Sequence, residues 1–349
     1  MLNKLRTLLC LFVIAHLSLI SVWAQTGGIR YFLPKTALRI SVMVEKVTYQ
    51  PGDFAPYAQR YLRVADVSQE PSVSYRVIDI MQTPIPVADT AKAYTVQFDP
   101  RSVSARATLA EDGRLLGLNV EDAYDADIPA EFVAAKRPID VNPRQYMNEE
   151  ILSCGSTAKM AELTAQEIYD LRENRSLLIK GQADFMPQDG RQMQIMLDEL
   201  DKQDRALSSL FLGTTRCDTT EHILWITPEE PIARQTFFRL SQLRGLVEPD
   251  DLSGAPYYIK VENITELPAA EPIGKKKVQP SAIWVNVPGR LRATIYQGIE
   301  AVSSVEHPAP QFGQTLMLSN DLFNKRYTTR LWLNPITGAV DRLDADQPK

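Results

Sequence analysis

The chain has 349 residues, 44% of them hydrophobic and 23% charged, with a formal net charge of -5. That is ordinary composition for a folded globular protein, and the acidic balance argues against nucleic acid as a partner. At this length two domains are the default expectation.

The first 24 residues read as a cleavable secretory signal. Lys4 and Arg6 form a positive head, Leu8 to Val22 is an almost uninterrupted apolar run, and Ala24 supplies a small residue before Gln25. The run is short and polar sequence follows at once, so a signal is expected rather than a membrane span. Cys10 follows Leu9 inside the run, which is not the setting of a lipid-anchored cysteine. Cleavage would remove two cations and no acid, taking the formal charge from -5 to -7. No later segment approaches eighteen continuous apolar residues. The expected location is therefore exported, periplasmic or at the cell surface.

Residues 25–150 read as an N-terminal β-rich domain. Leu38, Ile40, Val42 and Val44 alternate with Arg39, Ser41 and Met43, and Val73, Tyr75 and Val77 alternate with Ser72, Ser74 and Arg76. Phe54, Tyr57 and Tyr61 recur at helical spacing, which predicts a short helical turn over 54–62 whose aromatics belong to a core. Residues 108–120 read as strand, turn and strand about Glu111-Asp112-Gly113-Arg114.

Residues 151–214 read as a helical hairpin. From Ser156 to Lys180 there is neither proline nor glycine, and Ala161, Thr164, Ile168, Leu171 and Leu178 form one face. Gly181 is a stop signal. After a break holding Pro187 and Gly190, Asp189 is a candidate cap. Met193, Met196, Leu197, Leu200, Leu207, Leu210 and Phe211 form a second stripe, closed by Gly213. Each arm is on the order of 35 Å long at 1.5 Å per residue, and a short loop folds them antiparallel. Cys154 precedes the first arm and Cys217 follows the second, so the fold-back is expected to bring them together. A disulfide there would close a loop of about 64 residues, worth about 4 kcal/mol in the chain-entropy model. Phe185 and Met186 stand at the tip between polar neighbours and are the candidate partner-contact residues.

Residues 215–349 read as a C-terminal β-rich domain. Strand candidates are 221–227, 234–240, 257–261, 282–287, 291–296, 315–318 and 328–333, then an Asn334-Pro335-Ile336-Thr337-Gly338 turn and a final strand to Leu343. Prolines and glycines, among them Pro288-Gly289 and Pro308, separate these runs. The expected fold is a β-rich α+β protein, with two antiparallel β-sandwich-like regions flanking a long antiparallel helical hairpin.

The stretches YFLPKTALRISVMVEKVTYQPGDFAPYAQRYL, STAKMAELTAQEIYDLRENR, MLDELDKQDRALSSLFLG and GLVEPDDLSGAPYY resemble the domain-of-unknown-function 4831 family. That resemblance implies an exported bacterial protein of about this length. It implies no activity and supplies no catalytic residues.

Familiar catalytic and metal-binding patterns are few. There is no HExxH, paired Cys/His spacing, GxSxG elbow, P-loop or GxGxxG, and no cofactor is expected. Ser156-Thr157-Ala158-Lys159 matches the SxxK of penicillin-recognising serine enzymes, without a following KTG; a helix cap is the simpler role for Ser156. Two acidic clusters, Glu121-Asp122-Asp125-Asp127 and Glu248-Asp250-Asp251, lack the calcium-loop order and are expected to be solvated loops. So is Lys275-Lys276-Lys277, the only basic cluster. The expected role is a non-catalytic envelope binding or structural module with a protein or glycan partner. An assembly factor that uses the hairpin as an arm is the first alternative, and a hydrolase with an unfamiliar site the second.

Overall fold

A computed structural model describes residues 21–23, 28–96, 106–136, 141–267, 282–318 and 328–346. Most of the expected leader and the lysine run at 275–277 therefore lie outside the described residues. In chain order the elements are β1 (Ser21–Trp23), β2 (Ile29–Gln50), α1 (Ala58–Leu62), β3 (Ser72–Val96), β4 (Arg106–Leu109), β5 (Leu115–Leu118), α2 (Glu149–Leu152), α3 (Thr157–Lys180), α4 (Gly190–Leu212), β6 (Thr214–Ile226), β7 (Ile232–Ser241), β8 (Gly245–Val247), β9 (Ala255–Asn263), β10 (Ile283–Gln297), β11 (Glu300–Leu318), β12 (Thr328–Leu333) and β13 (Val340–Asp346). The protein is strand-rich, with antiparallel sheets and a helical pair in the middle of the chain. No described helix is long and apolar enough to cross a membrane.

The sheets run β1-β4-β5-β12-β13, β11-β10-β9-β7-β8 and β3-β2-β6. Strands from the two sides of the hairpin share these sheets: β6 pairs with β2 and β12 with β5. Only Ser21–Trp23 of the expected leader is described, as a strand beside Arg106–Thr108.

The alternation in β2 sets the layers. Leu38, Ile40, Val42 and Val44 point into a core with Phe238, Ile259, Leu291 and Ile295. The N-terminal part of the same strand, Ile29, Tyr31 and Leu33, enters a second core with Leu115, Leu118, Ile283, Val285 and Leu331. Beyond Gln50 the chain reaches a third core at the hairpin base, where Phe54, Leu62, Ile151, Ile168 and Phe211 meet. Gly52 makes this junction possible, because a Cβ there would fall 2.1 Å from the Leu210 carbonyl oxygen. The Phe54 N–H donates to that same oxygen at 2.7 Å, satisfying one of the open carbonyls at the end of α4.

The strands are fewer and longer than the residue pattern predicts. β10 runs through Pro288-Gly289, where its register with β11 shifts between Val287 and Gly289. Pro308 lies inside β11, and Pro84 and Pro86 lie inside β3. Both β3 and β11 are edge strands, where a missing N–H on the open side breaks no ladder. The expected breaks are thus irregularities and edge positions within continuous strands.

Where β6 ends, β2 loses a neighbour, and a side chain takes its place. Gln311 accepts from Thr36 N at 3.0 Å and donates to Thr36 O at 2.9 Å and to Pro228 O at 3.1 Å. The extended segment after β5 meets the outer face of the three-stranded sheet at Glu221. There Arg39 and Glu221 form a buried pair at 3.0 Å, and Phe132 N donates to Glu221 at 2.9 Å. Hydrogen bonds from the Ser41 hydroxyl and from Phe132 N, with Arg39 alongside, hold the Glu221 carboxyl below the usual range.

Two predictions follow from these contacts. Gln311→Ala leaves the buried Thr36 amide without its partner and is expected to cost about 1–3 kcal/mol in urea unfolding; Gln311 contributes nothing to the edge if the midpoint does not move. His307 is buried, its Nε2 3.3 Å from Gln82 Oε1, and burial pushes its pKa down. The folded state therefore binds this proton less well than the unfolded chain. The resulting loss of stability begins as pH falls through about 6.5 and is absent above it. Unfolding at about pH 7 and about pH 5 should show the drop in the parent, and His307→Gln should reduce it.

Candidate functional site

The hairpin is built as its sequence requires. Ser156 caps α3 by accepting from Lys159 N at 3.3 Å, and Asp189 caps α4 by accepting from Gln192 N at 2.8 Å. Gly181 ends α3 with φ 69°, and the Gln182 N–H donates to Leu177 O at 2.8 Å in a Schellman closure. The predicted α3 face, Ala161, Thr164, Ile168, Leu171 and Leu178, is buried throughout.

In α4 only the C-terminal half of the predicted stripe is buried. Leu207, Leu210 and Phe211 are in the core, whereas Met193, Met196, Leu197 and Leu200 remain half-exposed. The register accounts for Met193. Arg172 pairs with Asp204 at 3.0 Å and Arg175 with Asp201 at 2.6 Å, each step of three moving in opposite directions along the helices. That spacing sets Lys180 opposite Met196, so α4 from Gly190 to Ile195 extends past the end of α3.

Near the tip, between the last two turns of α3, the facing part of α4 and the connecting loop, lies a hollow of about 440 Å³, lined by Leu177, Leu178, Phe185, Met196 and Leu200. Asn174, Gln182, Asp184, Glu199 and Gln203 form its polar rim, which contains no lysine or arginine. This size and an apolar floor with few polar groups are typical of a binding concavity. Phe185 lines it while remaining 69% exposed. Met186 is exposed beside it and does not line it. Glu199 keeps its charge: hydrogen bonds from Gln203 and Lys202, with the Lys202 cation beside it, hold its carboxyl below the usual range.

A larger open depression, about 650 Å³, follows the loop Thr227–Gln235. It is bounded by that single loop, and Glu229 is engaged by Lys35 at 2.6 Å. It assembles no converging set of groups, and the tip hollow is the better-formed concavity.

The expected Cys154–Cys217 bond is not formed; both cysteines are free. The same register is the cause. Leu212, the last residue of α4, stands opposite Thr164, so the first two turns of α3 run on for roughly 10 Å past the end of α4. Cys154 lies beyond that overhang, its thiol donating to Glu150 O at 3.2 Å, while Cys217 sits on β6 opposite Val47.

The SxxK residues act as helix furniture. Lys159 Nζ pairs with Glu162 at 3.0 Å, and that hydrogen bond raises its pKa, the opposite of what a general base needs. The first acidic cluster is tied into the fold: Asp125 receives Arg114 at 3.0 Å, Asp122 accepts from Trp332 Nε1 at 2.9 Å, and Glu121 receives Arg106 at 3.5 Å. In the second, Asp251 takes Arg244 at 3.0 Å. Among the described residues no group of three His, Cys, Asp or Glu is placed to hold a metal ion.

The domain of unknown function DUF4831 matches residues 27–341, and the chain belongs to that family. No curated protein and no solved structure matches it.

With both thiols free, a reducing agent is expected to leave the thermal midpoint of the purified chain unchanged, as is Cys154→Ser. A fall of several degrees on reduction alone would reveal a stabilising disulfide.

Proposed function

We propose that the protein is an exported, non-catalytic binding module of the cell envelope, and that it engages a protein partner through the tip of the α3–α4 hairpin. The leader-like first 24 residues support export. The single observation that supports the binding role is the apolar hollow near the tip, enclosed by α3, α4 and their connecting loop and edged by Phe185. Its rim has carboxylates from Asp184 and Glu199 and amides from Asn174, Gln182 and Gln203. The fitting occupant is an amphipathic segment that inserts aliphatic or aromatic side chains and carries lysine or arginine beside them. A hydrolytic role finds less support, because the lining of the hollow holds no serine, threonine, cysteine, histidine or lysine.

A second reading, an assembly factor that holds clients with the same arm, is favoured by the projection of α4 beyond α3. It differs in that the client would be released rather than retained.

A photoreactive residue placed at Phe185 in the native host is expected to cross-link one envelope protein, and the same residue at the exposed Ile299 is not. Exchanging Phe185 and Met186 for serine should abolish that capture without lowering the thermal midpoint. Equal capture from both positions, or capture that survives the exchange, would remove the hairpin tip as the docking surface.

A further inference from the structure

Among the described residues, strand β6 is an edge of the three-stranded sheet, paired on one side with β2 over Thr214–Ile226 without a register shift. The other long edge strands, β3 and β11, contain prolines. β6 has no proline and no bulge, two of the devices by which natural edges avoid pairing. Thr214, Thr215, Arg216 and Cys217 are consecutively exposed, so both faces of the strand reach solvent there.

The sequence of this edge is self-complementary. Thr214-Thr215-Arg216-Cys217-Asp218-Thr219-Thr220 reads the same from either end, except that the residues flanking Cys217 have opposite charges. An antiparallel pair centred on Cys217 would set Thr214 against the second copy's Thr220, Thr215 against its Thr219 and Arg216 against its Asp218. Residues directly opposite share a face of the sheet, where threonine pairs and opposite charges stabilise the contact. Arg216 and Asp218 also interact within their own chain, and the pairing adds an opposite charge across the axis.

We propose that β6 is a homodimerisation edge on which a second copy of this chain adds antiparallel about a twofold axis at Cys217, forming a continuous six-stranded sheet β3-β2-β6-β6-β2-β3. The interface is isologous, and each charged pair occurs twice. Opposed Cα atoms in an antiparallel pair lie about 4.5–5.5 Å apart, within the range a disulfide spans. Cys217 therefore reports the register. With oxidised glutathione, thiol–disulfide exchange would form one S–S bond between the two Cys217 sulfurs and break that of the glutathione disulfide. The two released glutathione thiolates would take up the protons.

The test uses the purified full-length chain. With oxidised glutathione, Cys154→Ser is expected to give a covalent dimer on a non-reducing gel and Cys217→Ser is not. Under reducing conditions, sedimentation equilibrium should show dissociation about tenfold easier for Arg216→Asp and for Asp218→Arg, because each places like charges opposite one another twice. The double variant restores complementarity and should return to near the parent value. Circular dichroism checks that each variant folds, and the thiol experiment stands independently of the reversals. A monomer under all conditions, a dimer indifferent to both reversals, a double variant as weak as the singles, or cross-linking in Cys217→Ser would each overturn the proposal.

Discussion

The structure depends on one strand. β2 runs for 22 residues, about 70 Å at 3.2–3.4 Å per residue, and serves three cores in turn. Its start fills the core with β5, β10 and β12, its middle forms one wall of the larger sandwich, and its end delivers Phe54 to the hairpin base. A strand buried on both faces must also satisfy both of its backbone edges. β3 provides one edge along nearly the whole length. The other is shared by β6 from Gln50 to Leu38, the Gln311 amide at Thr36, and Gly113 O at Phe32.

Weak interactions bridge the two arms of the hairpin. The Arg172–Asp204 and Arg175–Asp201 pairs are partly exposed and individually contribute little to stability. They mark the register in which the buried faces of α3 and α4 meet. The offset of the two helices accounts for the separation of the two thiols at the base.

Much of this was legible in the residues. The period-two alternation from Leu38 to Val44 and the helical face from Ala161 to Leu178 each identified a buried surface correctly. The candidate site was half legible: Phe185 stood out as an aromatic in a polar turn, but the hollow beneath it is lined from two helices and their loop, whose mutual placement no local pattern states. The failures share a cause. Pro288 and Pro308 read as breaks because a sequence does not reveal where a register shift or an edge position admits a proline within a strand. The disulfide expectation assumed helices that end level with each other, and Leu212 stops two turns short of the start of α3. The role of Gln311 left no local signal, since its partners Thr36 and Pro228 lie far away in the chain.

The reach of β2 across the chain also bears on how the molecule forms. Arg39 meets Glu221 across 182 residues and Thr36 meets Gln311 across 275. Topologies dominated by such distant contacts fold slowly. A chain emerging from its N-terminus can zip β2 to β3 early, but that ribbon keeps a bare apolar face until the last third of the polypeptide arrives. Growth of the nascent chain therefore passes through a long stage of sticky, unsealed intermediates, and a holdase that shields them would set the yield of native protein.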